Sequence, residues 1–409
     1  DPDAGTGGLM AFTVSPPASI ASAPAAPRRP VASPAWRHVD LVLVLAGASI
    51  SALGVLMVYS TTRPALAAAG GDLQSEMKKQ AIYAVVGVGA FVATAFFDYK
   101  RYLSWAPLLY VGSLLALLAT FAIGHRALGA ESWIQVGSIQ VEPSELVKVT
   151  LILSLAALLA RRQGSISGKA LVVVLALSVL PFALIYKQNA LGSAMVLAVV
   201  MVGMLLMAGT KGRHMIALAL LAAVAIGGSL QLGVLKQYQR DRIESFLTAP
   251  TGVSSTVAAT GNPYAATIQY NLDQSKAAIA DGGLRGKGLY RGYMTNLSYV
   301  PNQYTDFIFT AVAEQFGFVG SALLLALFVL VVWRTWRAAA VSRDLAGTLI
   351  CIGVLSMIMF QVFENVGMTM GIMPVAGITL PFMSYGGSSM LVDWVAVGLV
   401  VNVGMRRFS

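Results

Sequence analysis

The stretch from Tyr299 to Trp333, YVPNQYTDFIFTAVAEQFGFVGSALLLALFVLVVW, joins a long apolar run to two carboxylates, Asp306 near its start and Glu314 within it. About 20 apolar residues are enough to cross the hydrocarbon core of a bilayer. A charged side chain at that depth costs several kcal/mol unless it faces protein or water. The stretch therefore predicts a transmembrane helix whose acidic residues face a polar interior.

Each of the two acids has a structural and a functional interpretation. With Thr305 as the N-cap, the helix dipole would keep the carboxylate of Asp306 ionised, either as a capping acid or as a catalytic group. Glu314 follows about 80° round the helix and roughly 12 Å deeper. It is interpreted either as a functional acid or as half of an internal salt bridge.

The composition places most of the chain in a membrane. Hydrophobic residues make up 57% of the sequence and charged residues 11%, with a mean hydropathy of +0.73; soluble domains carry about 25% charged residues. The net charge of +10 comes from basic residues at the ends of apolar segments, which argues against a nucleic-acid partner. Because Cys351 is the one cysteine and the three histidines are scattered, we expect neither a disulfide framework nor a zinc site.

Hydropathy predicts an all-α polytopic membrane protein with ten transmembrane helices. Residues 1–37 are expected to form a disordered cytoplasmic tail, and residues 38–409 the membrane domain. The predicted spans are 40–60, 80–98, 102–123, 144–160, 169–187, 191–209, 213–234, 307–333, 346–370 and 382–404. Residues 235–305 then form a large loop between helices 7 and 8, with an amphipathic segment at 234–247 and a lid over the mouth of the bundle.

The distribution of Lys and Arg predicts the orientation. These residues concentrate in the short loops of one side, which should be cytoplasmic, so both termini are expected inside and the large loop outside. At the end of that loop Lys276, Arg285 and Lys287 form a basic region that suits an anionic ligand or a solvated surface.

The fourth span opens with VEPSELVKVTLIL, residues 141–153. Ser144 is the expected N-cap, and Glu145 and Lys148 are three residues apart and so share one helix face. One interpretation is an ion pair with no further role. In the other, Lys148 is the cation for a pyrophosphate and Glu145 orients that lysine.

Glycine and proline interrupt the segment FENVGMTMGIMPVAGITLPFMSYGGSSML, residues 363–391. Broken backbone at membrane depth is tolerated only inside protein or along a wet cavity. Since the segment stays hydrophobic, a re-entrant stretch lining a cavity is favoured over a plain outer loop. Its polar residues are candidates for substrate binding or support: Glu364, Asn365, Ser384, Tyr385 and Ser388.

These motifs resemble the SEDS family (shape, elongation, division and sporulation proteins). The resemblance extends from about residue 36 to the C-terminus and includes PSELVK at 143–148, TDFIF at 305–309 and the run from Asn365 to Ser389, which looks closer to the RodA branch. It implies a ten-helix peptidoglycan glycosyltransferase of the bacterial cytoplasmic membrane that polymerises lipid II outside the cell and pairs with a class B penicillin-binding protein. Asp306 would be its essential carboxylate, with Glu145 and Lys148 at the positions of the PSELxK pair.

The chain departs from the usual family pattern at four positions. Ala190 stands where an aspartate is usual, Tyr304 replaces a histidine, Gln315 replaces a second glutamate and Ser132 replaces an arginine. These changes affect expected substrate contacts and leave Asp306 in place.

The mechanism implied is glycosyl transfer with Asp306 as base toward the acceptor hydroxyl. Lys148, Arg285 or a divalent cation (Mg²⁺ or Mn²⁺, with Asp306 as its ligand) would meet the leaving diphosphate. The alternatives are a lipid II flippase and a scaffold without catalytic activity. Polar residues on the outward half and the absence of a convincing internal repeat argue against the flippase.

Overall fold

The computed structural model describes residues 38–123, 125–127, 130–136, 139–162, 166–231 and 263–408. The predicted tail at 1–37 and the predicted amphipathic segment at 234–247 lie outside the described residues.

Helices dominate the part of the chain that the structure describes. In chain order they are α1 (Leu41–Ala68), α2 (Ser75–Phe96), α3 (Tyr99–Ile123), α4 (Pro143–Ala160), α5 (Gly168–Lys187), α6 (Leu191–Met207), α7 (Gly212–Gln231), α8 (Pro263–Gly282), α9 (Tyr293–Asn296), α10 (Ile308–Ala340), α11 (Leu345–Met370) and α12 (Gly387–Met405). A 3₁₀ turn follows at Arg406–Phe408.

The predicted class, an all-α polytopic membrane protein, is confirmed. Each predicted apolar span coincides with a helix, and eight of these, α1–α5 and α10–α12, are long and apolar enough to cross a membrane. The apolar stretches of α6 and α7, Leu191–Met207 and Gly212–Val224, are shorter. The exact number of ten crossings therefore stays a prediction.

A small sheet between α3 and α4 was not predicted. Strands β1 (His125–Ala127), β2 (Ala130–Val136) and β3 (Ile139–Val141) pair antiparallel in the order β1-β2-β3. Register aligns Gln135 with Gln140 across β2 and β3. The strands are too short for their alternation to stand out beside the apolar spans.

Three helices form the centre of the bundle. In the most apolar 18-residue stretch of α4, α11 and α12, 72%, 72% and 78% of the residues are buried. The corresponding share is 28% in each of α2, α3 and α5. The outer helices direct large apolar side chains outward, such as Phe96 and Leu108. Exposed apolar area on that scale is stable only against hydrocarbon.

The end of the large loop is a helix, α8, followed by a glycine-rich turn. α8 packs on α10 and α11, and residues 283–288 then turn back onto α10. There the amides of Lys287 and Gly288 donate to the carbonyls of Glu314 and Gln315, at 3.0 and 2.9 Å. Phe318 N in turn donates to the Gly283 carbonyl at 2.8 Å.

This exchange of hydrogen bonds occurs where α10 is broken. Gly317 has φ 67° and ψ −162°, so the helical ladder is interrupted and the turn supplies the missing partners. A Cβ on Gly317 would collide with the backbone of Leu284 and Gly286.

We therefore expect Gly317→Ala to lower stability by about 1–3 kcal/mol, because alanine is strained at this φ and has no space. The apparent melting temperature in detergent should fall clearly. Gly89→Ala is the matched control, since nothing lies within 4 Å of a Cβ placed there. Equal melting temperatures for both variants would contradict this account of the break.

Candidate active site

Asp306 lies on a turn before α10. The helix begins at Ile308 with Phe307 at the N-cap and no side-chain cap, so the prediction of Thr305 as N-cap is wrong. Instead the amides of Thr305 and Asp306 both donate to the carbonyl of Asn302 at 3.2 Å, and Asn302 has φ 53°. A residue in the left-handed conformation therefore closes this turn.

Asn365 attaches this turn to the non-helical chain between α11 and α12, residues 371–386, which we call the broken segment. Its Nδ2 donates to the carbonyl of Asp306 at 2.8 Å and to the carbonyl of Ile378 at 2.7 Å. Asn365 is fully buried in α11. One side-chain amide thus fixes the backbone of Asp306 and that of the broken segment, which lacks the hydrogen bonds of a helix.

Two further contacts continue the attachment. Ser384 Oγ donates to the Thr305 carbonyl at 2.6 Å and accepts from Leu380 N at 2.8 Å. Tyr385 N donates to the Tyr304 carbonyl at 2.9 Å. Ser384 is buried and its hydroxyl bonds to two backbone groups, so it supports the turn; its predicted contact with substrate stays a prediction.

We predict that Asn365→Ala abolishes activity and lowers stability, because two carbonyls lose their donor and an unsatisfied buried polar group costs about 1–3 kcal/mol. Both the melting temperature of the variant in detergent and its rate of glycosyl transfer should fall below those of the wild type.

The control is Thr369→Ala, one turn further along α11. Among the described residues its buried hydroxyl bonds to the carbonyl of Val366 in its own helix alone, at 2.7 Å, so its loss should leave activity near that of the wild type. Equal activity losses for both variants would refute a specific role of Asn365.

The Asp306 carboxylate is half-buried beside a glycine. Gly377 has φ 69°, and a Cβ built there would be 3.4 Å from Asp306 Oδ2. The broken segment therefore leaves a gap next to the acid that a larger side chain would narrow.

Residues at the start of α4 form a charged group near Asp306. The helix begins at Pro143 with Glu142 at the N-cap, so Ser144 is not the N-cap that the sequence predicts. Ser144 Oγ donates to Glu142 Oε1 at 2.6 Å, and Glu142 N donates to Ser388 Oγ at 2.9 Å. Lost hydration, followed by the nearby Glu145 carboxylate, raises the pKa of Glu142 to about 7.

Glu145 and Lys148 form the ion pair that is one of the two predicted alternatives. Lys148 Nζ lies 2.6 Å from Glu145 Oε1. Lys148 is 1% exposed and Glu145 is 4% exposed. Direct contact between Lys148 and a diphosphate would need this part of the bundle to open.

Glu314 is held by hydrogen bonds rather than by a salt bridge. Its carboxylate accepts from Met294 N at 2.6 Å, from Thr295 N at 3.1 Å and from Thr295 Oγ1 at 2.5 Å. Among the described residues no cation pairs with it. The acid fixes the one-turn helix α9 against α10, which fits its predicted supporting role.

A cleft of about 570 Å³ opens beside the turn that carries Asp306. Tyr304, Thr305 and Tyr385 form one wall, and the rings of Tyr304 and Tyr385 are 5.6 Å apart. Asp306 itself is not part of the lining. Other polar and aromatic residues of the lining were not predicted as site residues from the sequence: Thr61, Thr62, Glu76, Lys79, Tyr83, Trp133 and Gln140.

The predicted basic and acidic residues are dispersed. Lys276 is half-buried against Gly371 at the end of α11, Arg285 is exposed, and Lys287 pairs with Asp281 at 2.8 Å. Glu364 is fully buried in α11 beside Asn365.

The described residues contain no group of three or more His, Cys, Asp or Glu side chains arranged to hold a metal. Magnesium in phosphate chemistry takes one or two carboxylates and completes its shell with phosphate oxygens and water. Asp306 fits the first part of that pattern only.

Comparison with known proteins identifies the family. The family of cell cycle proteins FtsW/RodA/SpoVE matches residues 40–408. The chain belongs to this family. Stage V sporulation protein E of Bacillus subtilis is 34% identical over 376 residues, 90% of this chain and 97% of that protein. A probable peptidoglycan glycosyltransferase FtsW of Geobacter metallireducens is 33% identical (90% and 95% covered), and the peptidoglycan glycosyltransferase MrdB of Escherichia coli K12 is 31% identical (90% and 94%).

Solved structures agree with this membership. A chain of the structure described as "Structural coordination of polymerization and crosslinking by a peptidoglycan synthase complex" has a TM-score of 0.75 at 29% identity, with 91% of this chain and 99% of that chain covered. Rod shape determining protein RodA of Thermus thermophilus has a TM-score of 0.66 at 26% identity, with 92% and 100% covered. Because differently named family branches match about equally well, the RodA branch stays a prediction.

Two departures from the family pattern have visible consequences. Gln315 Oε1 accepts from Ser60 Oγ and from Tyr290 N, both at 2.9 Å, so a neutral amide links α1 to the large loop where an acid is usual. Ala190 stands at the N-cap of α6 without a side-chain cap. The side chain of Ser132 lies outside the described residues.

Proposed function

We propose that this family member is a peptidoglycan glycosyltransferase that polymerises lipid II into β-1,4-linked glycan strands. The observation that carries the proposal is the position of Asp306. It is half-buried on the turn before α10, which Asn365 and Ser384 hold in place and which we call the clamped turn. The gap beside Gly377 lies next to its carboxylate, and the cleft opens beside the turn. The names of its relatives FtsW and MrdB support the same activity.

Asp306 acts as the general base. Its carboxylate takes the proton of the GlcNAc 4-hydroxyl of an acceptor lipid II, and that oxygen attacks C1 of the MurNAc at the lipid end of the growing glycan. The new C1–O bond forms as the bond from C1 to the diphosphate breaks, with inversion, and undecaprenyl pyrophosphate leaves. A positioned base contributes about 10²–10⁴ in rate to such a step.

The cleft supplies binding groups for the sugars and the diphosphate. Tyr83, Tyr304 and Tyr385 provide apolar ring faces, and Lys79, paired with Glu76 at 2.9 Å, is the lining cation. Lys79 is half-exposed and so reaches a ligand that the buried Lys148 does not. Arg285, which is exposed and has no ion pair among the described residues, is a second cation for the leaving group. A divalent cation held by Asp306 would supply further charge neutralisation there.

The proposed setting is the outer face of the bacterial cytoplasmic membrane, with both termini inside. The Lys and Arg distribution supports this orientation. A class B penicillin-binding protein is the proposed partner, supported by the similarity to a chain of a peptidoglycan synthase complex.

We expect Asp306→Ala and Asp306→Asn to lower polymerisation of labelled lipid II at least about 10²-fold, because the attacking hydroxyl loses its base. The purified protein is assayed with and without the partner. Asp72→Asn, which removes an exposed acid paired with Lys78, is the control and should keep full activity.

The other outcomes identify the rivals. Full polymerisation by Asp306→Ala contradicts the base assignment. Transport of lipid II across vesicles without polymerisation indicates a flippase, and polymerisation by the partner alone indicates a scaffold.

Glu142 should make the activity depend on pH near neutrality. Because its pKa is raised to about 7, the group is neutral at lower pH and becomes negative as the pH rises through that value. The added charge opposes a diphosphate near Asp306 by an amount on the order of 1 kcal/mol. Between pH 6 and 8 the wild-type kcat/KM should therefore fall roughly fivefold relative to Glu142→Gln. Parallel pH profiles would contradict this.

A further inference from the structure

The opposite end of the bundle from the large loop holds a second cavity. It has a volume of about 260 Å³ and lies where α1 begins and α10 and α12 end. Its polar lining consists of His38, Asp40, Arg334, Arg337 and Arg407, and the other described lining residues are aliphatic or glycine. We call this cavity the basic pocket.

Asp40 is the one carboxylate among the described residues that line the basic pocket, and it is already paired. Arg334 Nε and one terminal nitrogen of the same guanidinium contact Asp40 Oδ2, at 2.7 and 2.6 Å. Asp40 Oδ1 accepts from Leu43 N at 3.1 Å and so caps α1. Two more arginines line the cavity against this single acid, and Arg337 forms no ion pair within the described part of the chain.

General preferences explain only part of this arrangement. Basic residues are favoured in loops on one side of a membrane, and in the last turn of a helix, where the dipole is negative. Neither preference brings arginines from two helices to one concave surface above an ion pair. Guanidinium groups converging in this way suit the oxygens of a phosphate, which they bind in a bidentate manner.

The exposed residues around the basic pocket are typical of the level of the lipid headgroups in a membrane. Leu41 and Leu45, in the first turns of α1, are 65% and 64% exposed, and Trp333 and Trp336 of α10 are each 53% exposed. Tryptophan concentrates at the level of the headgroups in membrane proteins. The guanidinium of Arg334 lies 5.6 Å from the Trp333 ring centre, which places the base of the pocket at the same level.

We propose that the basic pocket binds the phosphate headgroup of an anionic phospholipid, with the acyl chains along the exposed apolar side chains of α1 and α10. Basic pockets between transmembrane helices bind anionic headgroups in this way. The volume is below the roughly 300–1,000 Å³ of pockets that enclose whole drug-sized ligands, which fits a headgroup and not a complete lipid. The site is independent of the proposed glycosyl transfer.

Native mass spectrometry of the full chain in detergent tests the proposal, with phosphatidylglycerol as probe and phosphatidylcholine as the zwitterionic comparison. We expect retained phosphatidylglycerol on the wild type and weak retention of phosphatidylcholine. Arg337→Gln/Arg407→Gln should weaken phosphatidylglycerol binding about 25-fold, at roughly fivefold for each basic group. Lys211→Gln/Arg213→Gln, an equal loss of charge where α7 begins, should keep wild-type binding.

Three results would overturn the proposal: equal losses in both double variants, equal retention of the two lipids, or displacement of the lipid by millimolar inorganic phosphate, which would indicate a site for a soluble anion. If the glutamine variant does not fold, Arg337→Lys/Arg407→Lys decides. It keeps the charge without the planar guanidinium, and it should bind phosphatidylglycerol several-fold more weakly than the wild type. Wild-type affinity in that folded variant would refute recognition by the guanidinium groups.

Discussion

The side-chain amide of Asn365 is the interaction on which the site depends. It donates to the carbonyls of Asp306 and Ile378, and so joins the turn before α10 to the irregular chain between α11 and α12. Unpaired backbone in an apolar environment is costly, and the broken segment has no helix to satisfy it. Gln80 and Asp393 are two further partners of this segment, since Gln80 Nε2 donates to the Ser384 carbonyl at 3.0 Å and Asp393 accepts from Phe382 N at 2.9 Å.

The acids within the bundle are therefore mostly structural. Glu314 holds a loop helix, Glu145 neutralises a buried lysine, and Asp393 stabilises a left-handed Phe382. Asp306 differs in that its backbone carbonyl accepts from Asn365, while the residue is half-buried beside Gly377. The contact that holds Asp306 in place is thus made by its main chain, not by its side chain.

The sequence predicted well what depends on local pattern. Hydropathy located the helices, the three-residue spacing paired Glu145 with Lys148, and the glycines and prolines indicated broken backbone after α11. The last helix begins at Gly387 instead of at 382, because hydrophobicity continued through a buried segment that is not helical.

What depends on contacts between distant residues could not be predicted. The left-handed turn at Asn302 displaced the expected cap at Thr305, and the break at Gly317 exists because a loop some thirty residues earlier supplies its hydrogen bonds. The cleft combines Lys79, Trp133 and Tyr385, which are far apart in the chain, so no local motif announces it.

The central claim is that the clamped turn presents Asp306 to the acceptor sugar. An experimental structure of the complex with a lipid II analogue in the acceptor site tests this most directly. We predict that the Asp306 carboxylate lies within about 2.6–3.2 Å of the GlcNAc 4-hydroxyl, or one water away. A bound acceptor whose 4-hydroxyl faces another acid, with Asp306 out of reach, would contradict the account.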